Sequence, residues 1–402
     1  MITDDVEKLK NEMIEAMKKM IPIVAISPET GGKGEEERAI FIESLLKEIG
    51  FDEIKRIDAI DKLGYKRPNI VALIYGESRD KTLWIAAHMD TVPEGDRNLW
   101  KTDPFQAVVI DDKIYGRGTE DNGQALIGAI FAIKAIKNSG LRPKHNIGLI
   151  AVSDEEVGSK YGMEFLVDNY NFGENDSFLI PDSGNDNGSE IEIAEKGILW
   201  FSIVTHGIQG HGSRPDLSKN AHRIGMKVAL EIDDLLHKKY NARDDIFIPP
   251  YSTFEPTKKE KNVSNINTIP GTDVIYFDTR ILPIYSIDDI IKSIKEIIKN
   301  NSEAFNAEIE FNIIQRADPA KPTDAKAKVV QDLIKILKET RGINPVLIGI
   351  GGGTVAAILR KKGYPAVVWS TLEPVEHSPN EYCKISNLIN DAKVFALMYL
   401  NF

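Results

Sequence analysis

The chain has one cysteine in 402 residues, Cys383. A single thiol cannot close an internal disulfide, so no cross-linked secreted framework is expected. Long apolar runs are missing as well. None approaches the roughly 18–20 residues that span a bilayer. The residues after Met1 include Thr3, Asp4 and Asp5, where a leader would carry a basic and then an apolar region. These absences predict a cytoplasmic protein with no membrane association. Basic excess is also absent: the formal net charge is −11. Nucleic-acid binding needs a basic face, so that partner is not expected. The acidic balance does not choose a substrate, because global charge speaks to solubility more than to a site. Repeats and low-complexity tracts do not occur. A length of 402 residues exceeds one ordinary core, so two domains are expected.

What is present is an alternation of apolar runs and helical periodicities. Helices are predicted near 4–20 and over 35–49, the second ending at Gly50, a C-terminal capping residue. Strands follow at about 69–75, 82–88 and 146–152, with a helix at about 122–138 between the last two. A further strand, 178–181, runs into Asp182-Ser183-Gly184. This rhythm indicates an α/β sheet. It is broken by strands at 198–206, 273–282 and 307–315 with helices at about 219–239 and 286–300, a small α+β layer. Segment 255–262 reads as a solvated loop. The first rhythm then resumes with helices at about 325–341, 354–362 and 386–400 and strands near 346–348 and 365–369. The expected organisation is a domain of residues 1–196 and 316–402, interrupted by an insert of residues 197–315.

The residues that carry chemistry cluster at strand ends. Ala87-His88-Met89-Asp90-Thr91-Val92-Pro93 follows the continuous apolar run 83–87, which reads as a strand buried on both faces. His88 therefore falls at the carboxyl edge of a central strand, where open α/β sheets bind ligands. Side chains two apart point the same way, so Asp90 can reach the back of the His88 ring and fix its tautomer. Asp121, in Gly116-Arg117-Gly118-Thr119-Glu120-Asp121-Asn122-Gly123, reads either as a site residue or as a helix N-cap. Asp154, Glu155 and Glu156 crowd the end of strand 146–152, a costly arrangement unless cations hold them. Asp182 ends the next strand, where a turn-forming role is the alternative. His377 lies in a polar loop after the final strand. Among the other histidines, His211 stands out because Gly210, Gly212 and Ser213 flank it. Asp121, Glu156 and Asp182 supply three negative charges toward two divalent ions, with His88 and His377 as neutral ligands. Each ion could take one histidine, one terminal carboxylate and a share of Asp121, the open arrangement of catalytic zinc. Glu155 is then left over, placed as a general base.

These residues, in this order, resemble the di-zinc metallopeptidase family that contains carboxypeptidase G, aminoacylase-1, acetylornithine deacetylase and succinyl-diaminopimelate desuccinylase. The matching segments are His88-Met89-Asp90-Thr91-Val92-Pro93, Gly116-Arg117-Gly118 with Asp121, Asp154-Glu155-Glu156-Val157-Gly158, Pro181-Asp182-Ser183 and His377-Ser378-Pro379-Asn380-Glu381. The resemblance implies a mixed-sheet, zinc-exopeptidase-like catalytic domain interrupted by a smaller α+β sandwich that serves as a dimerisation or lid domain. It implies that His88 and Asp182 hold one metal, Glu156 and His377 the other, with Asp121 bridging. Asp90 would support His88, and Glu155 would be the base. A cis peptide is implied after Asp121. In the insert, His211 would reach across a homodimer to the partner's site and stabilise an oxyanion. Asn267 and Arg280 would grip the substrate, Arg280 pairing a carboxylate bidentately; a plain strand salt bridge is the alternative for Arg280. Gly353 and Thr354 would line a substrate loop. As a phosphate cradle Gly351-Gly352-Gly353-Thr354 is weak, since no G-K-[ST] follows. Val355 stands where relatives place an acidic residue, and Gln124 where a Lys is common.

The expected activity is hydrolysis of an amide bond, peptide or N-acyl, in a small carboxylate-bearing substrate such as an N-acyl amino acid, N-succinyl-diaminopimelate or a short peptide. The expected cofactors are two divalent ions, Zn2+ first, with Co2+ or Mn2+ as alternatives. Two competing readings are a catalytically silent binding member of the family and a di-metal phosphoesterase. The first would predict loss of Glu155 or of a ligand; the second would want a basic cluster beside the motifs.

Overall fold

The computed structural model describes residues 1–402. They divide into two compact units. Met1–Ile193, Thr323–Ile348 and Thr354–Phe402 form the first, and Ala194–Pro322 with Gly349–Gly353 the second. The short piece 349–353, which the rhythm of the sequence leaves with the flanking helices, groups with the second unit for local reasons. Gly349 N–H donates to the Ile246 carbonyl, Lys196 N–H donates to the Ile350 carbonyl, and the Phe247 ring fills the space over Gly349.

An eight-stranded mixed sheet runs in the order Glu53–Ile60, Lys66–Ile74, Asn146–Val152, Thr82–His88, Ser177–Asn185, Ala366–Thr371, Glu190–Glu195, Val346–Ile350. Thr82–His88 is parallel to both of its neighbours, and Ser177–Asn185 is parallel to Ala366–Thr371. The outer pairings are antiparallel. Every residue of Thr82–His88 and of Asn146–Val152 is buried. The cause is cover on both faces. Trp84, Ala86, Ile150 and Val152 pack against Met163 and Leu166 of one helix and Val355, Ala356 and Leu359 of another. Helices Ala125–Ser139, Ile385–Asn401 and Ile2–Lys8 pack together, and the first of them also packs on Thr82–His88 and Asn146–Val152. A continuous apolar run is what such a strand requires.

The sequence reading did not single out Glu53–Ile60. It pairs along its whole length with Lys66–Ile74 through a tight turn at Asp61–Gly64. A small hairpin, Val108–Ile110 with Lys113–Tyr115, takes Tyr382–Lys384 as its third strand.

In the second unit four antiparallel strands lie in the order Thr253–Lys259, Thr272–Ile281, Gly197–His206, Ile309–Ala317. Burial alternates along Thr272–Ile281, as a sheet with one covered face demands. Phe201, Ile203 and Phe277 face Val228 and Ile232 of helix Ala221–Lys239 and Ile290 and Ile294 of helix Ile287–Phe305. Of the segment 255–262 read as a solvated loop, residues 255–259 belong instead to the edge strand Thr253–Lys259, with an irregularity between Pro256 and Lys258, while 260–262 lie outside any strand. Proline is tolerated on a sheet edge because it lacks only a donor that would face solvent.

Candidate metal centre

The parallel strands deliver their carboxyl ends to one edge of the sheet in the first unit. His88 is the last residue of its strand and is buried. Its Nδ1 lies 3.0 Å from the carbonyl oxygen of Asp90. The sequence placed the Asp90 carboxylate in that role, but this carboxylate is farther, at 3.6 Å. It is aimed instead at the next loop, accepting the backbone N–H groups of Glu155 and Glu156 at 3.1 and 3.0 Å. Asp90 thus fixes the His88 ring through its backbone and the acidic loop through its side chain, leaving His88 Nε2 for the site.

Asp121 does not cap a helix. Its backbone is non-helical, the regular helix begins at Ala125, and the Asp121–Asn122 peptide is cis. Its carboxylate stands between the two histidines. Oδ1 is 2.8 Å from His88 Nε2 and Oδ2 is 3.1 Å from His377 Nε2. Asp182 lies where the pairing of Ser177–Asn185 with Ala366–Thr371 shifts register, so it leaves the regular ladder; its Oδ1 is 3.4 Å from His88 Nε2. Glu156 Oε2 is 3.0 Å from His377 Nε2. The result is two groups whose ligand atoms lie within 4.8 Å of one another, His88–Asp121–Asp182 and Asp121–Glu156–His377, with Asp121 common to both. Glu155 is in neither group.

Crowding of these charges shifts their protonation. Burial raises Glu155, with the charge of Asp182 adding to it, and burial likewise raises Glu156 and Asp182. His377 is pushed up to about 10 by its hydrogen bonds to Asp121 and Glu156. Burial opposes a charge on His88, yet Asp182 and the hydrogen bond to Asp121 carry it well above the ordinary histidine value. Burial works against the Asp121 charge too, but hydrogen bonds from His377 and His88 hold its carboxyl low. Protons here do what a cation would do, which is to neutralise a set of clustered carboxylates.

Three further residues complete the centre, and sequence reasoning gave them no role. Asn122 Nδ2 donates to Asp182 Oδ1 at 2.6 Å and to the Pro181 carbonyl at 3.0 Å, orienting that carboxylate. Arg117 and Glu381 form a buried ion pair at 2.6 Å. Both stand inside the quoted motifs, which was the one available signal.

The remaining candidates sit as follows. Thr354 accepts the N–H of Ala356 as N-cap of the helix Val355–Lys361. In the second unit, His211 is exposed, and its residue pairs with Thr268, next to Asn267. His211 Nδ1 accepts the backbone N–H of Ser213 at 3.2 Å. Arg280 gives Nε and one terminal nitrogen to the Asp278 carboxylate at 2.7 and 3.0 Å, and the other to the Gly351 carbonyl at 3.0 Å. The structure therefore brings Arg280 to the Gly351–Gly353 segment, with one edge of its fork engaged by Asp278. Gln124 is buried and donates to the Thr371 carbonyl and to Asp391, and Val355 is buried in the core.

Residues 84–401 match the pattern of Peptidase family M20/M25/M40. An uncharacterized metallohydrolase of Methanocaldococcus jannaschii is 41% identical over 406 residues, covering 96% of this chain and 98% of its own. A succinyl-diaminopimelate desuccinylase of Rickettsia bellii is 29% identical over 381 residues, covering 92% of each. Aminopeptidase PepT of Bacillus cereus shares the fold, with a TM-score of 0.78 at 18% identity over 97% of this chain and 98% of that one. The chain belongs to peptidase family M20/M25/M40 and is a hydrolase of the metallopeptidase and amidohydrolase type.

Proposed function

We propose that the protein is a two-metal hydrolase that cleaves a peptide or N-acyl amide bond in a small substrate bearing a free carboxylate. The observation that carries this reading is the pair of ligand groups sharing Asp121, with Glu155 beside them and in neither. His88, Asp121 and Asp182 would hold one divalent ion, and Asp121, Glu156 and His377 the other. The donor set fits: two imidazole nitrogens and three carboxylates are suited to zinc, with cobalt or manganese as substitutes. Such ions, when bound, polarise a carbonyl and make water acidic near neutral pH.

The chain's own residues supply the rest. Glu155, whose carboxyl is raised by burial, takes the proton from water and delivers it to the leaving nitrogen. His211 receives an N–H at Nδ1, so its ring proton sits on Nε2, a donor for the oxyanion. In a homodimer this exposed imidazole would serve the partner subunit's site. Asn267, Arg280, Gly353 and Thr354 would contact the substrate, Arg280 through the edge that Asp278 does not occupy. The substrate classes are N-acyl amino acids, N-succinyl-diaminopimelate and short peptides; the likeness to a desuccinylase supports including the second. The place of work is the cytoplasm, in keeping with a chain in which no helix is long and apolar enough to cross a membrane.

The test is to strip the protein of metal, reload it with zinc, cobalt or manganese, and assay all three substrate classes beside their neutral amides. Hydrolysis should return with metal and favour the free acids. Arg280→Ala should lose most of that preference. Failure of the loaded enzyme on every amide would overturn the reaction class, and undiminished acid preference in Arg280→Ala would leave Arg280 with a structural role only, tying Asp278 to the Gly351 carbonyl.

A further inference from the structure

The two histidines of the candidate centre are held in different ways. His88 ends a fully buried strand and its ring is almost wholly buried. His377 lies on a loop with φ +58°, and its side chain is 54% exposed. A strand end is positioned by its ladder, but a loop histidine needs an anchor of its own.

The anchor is visible in the buried pair Arg117–Glu381, whose side chains are 2% and 1% exposed. Glu381 Oε2 accepts from Arg117 at 2.6 Å. Glu381 Oε1 accepts the backbone N–H groups of Gly118, Glu120 and Asp121 at 2.9, 3.0 and 3.2 Å. Arg117 then donates its other terminal nitrogen to the carbonyl of His377 at 3.2 Å. The two segments also meet through the backbone: Gly116 N–H donates to the Glu381 carbonyl, and Lys113–Tyr115 pairs with Tyr382–Lys384. One carboxylate therefore gathers the turn that presents Asp121, and its arginine reaches across to the residue that presents His377.

We infer that Arg117 and Glu381 are positioning residues that set the Asp121-to-His377 spacing and so build the His377 half of the metal centre. The inference rests on the two-metal reading above. It separates the two halves: loosening the clamp should weaken the Asp121–Glu156–His377 group more than the His88–Asp121–Asp182 group. Outer hydrogen-bond partners of metal ligands typically change affinity about 10–100-fold when removed.

The experiment is calorimetric titration of metal-free protein with zinc, with bound metal counted by mass spectrometry. Wild type should take up two ions per chain. Glu381→Gln keeps an oxygen for the backbone donors but turns off the ion pair. Arg117→Lys keeps the charge but loses the second arm to His377. Each should keep one strong site and weaken the other about 10–100-fold. In a His377→Ala background, adding Glu381→Gln should produce little further change in the remaining site. Two undisturbed sites in the Arg117→Lys protein, or equal weakening of both sites, would overturn the clamp. Fewer than two ions on wild type would overturn the two-metal reading itself, an outcome distinct from either.

Discussion

Glu155 and Glu156 are neighbours with different employment, because the Asp90 carboxylate holds both of their N–H groups while only Glu156 turns its side chain to His377. Replacing Glu155 with Gln should keep both metals and lower turnover on the order of 10²–10⁴-fold, the size of a general-base contribution. Metal analysis together with kcat separates the roles: a lost ion would make Glu155 a ligand. His377 offers a second check. Its folded pKa stands at about 10, above the ordinary 6.5, so its proton contributes stability fully below about pH 6.5, and that contribution is lost as pH rises through about 10. Glu155, Glu156 and Asp182 are raised as well and act in the same direction from lower pH. Asp121 is lowered and acts oppositely, but only in acid. Metal-free protein should therefore melt at falling temperature between pH 6.5 and 10, and zinc binding near pH 7.5 should release protons. Calorimetry in buffers of different ionisation enthalpy measures that release; zero release would mean that the histidines are already neutral.

Strands and helices carry their own constraint, seen where Asn146–Val152 passes Thr82–His88. A Cβ on Gly148 would lie 2.2 Å from ring atoms of the buried Trp84, whose Nε1 is tied to Asp176 at 2.8 Å. Gly148→Ala should cost about 1–3 kcal/mol through overpacking, read as a lower urea midpoint with zinc content unchanged in the folded fraction. An unaltered midpoint would show that the indole can shift. The same pair of strands explains what could be read from the sequence. Runs buried on both faces are continuous and apolar, so the inner strands were legible, and with them the carboxyl edge that carries His88, Glu156 and Asp182. Thr253–Lys259 was not legible, because its residues after Phe254 are exposed and include Pro256. The irregular backbone from Thr119 to Gln124 was legible in part: the resemblance implied the cis peptide after Asp121 that the structure has, whereas the helix expected from about 122 begins only at Ala125, because Asp121 and Asn122 are non-helical. The Arg117–Glu381 pair could not be derived from spacing, as its members are 264 residues apart in the chain. For Asp90, the period of two does not hold, because the strand ends at His88: the contact behind the ring is made by the Asp90 carbonyl, and the carboxylate turns to the loop that follows.

At the scale of the molecule, the candidate ligand residues all belong to the first compact unit, whereas His211, Asn267 and Arg280 belong to the second. If His211 serves catalysis as proposed, it can be supplied by the same chain or by a second copy, and the proposed homodimer makes these alternatives distinguishable. Consider a chain carrying His211→Ala and another carrying Glu155→Gln, each inactive by itself as a homodimer. If the histidine acts on its own chain, the first chain's site lacks the oxyanion donor and the second lacks the base, so a mixed dimer is dead at both sites. If the histidine acts across the dimer, the chain with intact Glu155 receives an intact imidazole from its partner, and the other site carries both lesions. Mixed dimers purified through two different tags should then show about half of wild-type activity, because a two-fold interface makes both sites equivalent before mutation. Each parent homodimer, measured in parallel at the same metal loading, sets the background. Activity at that background in verified mixed dimers would assign His211 to its own chain's site, and a protein that stays monomeric at assay concentration while turning over substrate would remove the cross-subunit role altogether.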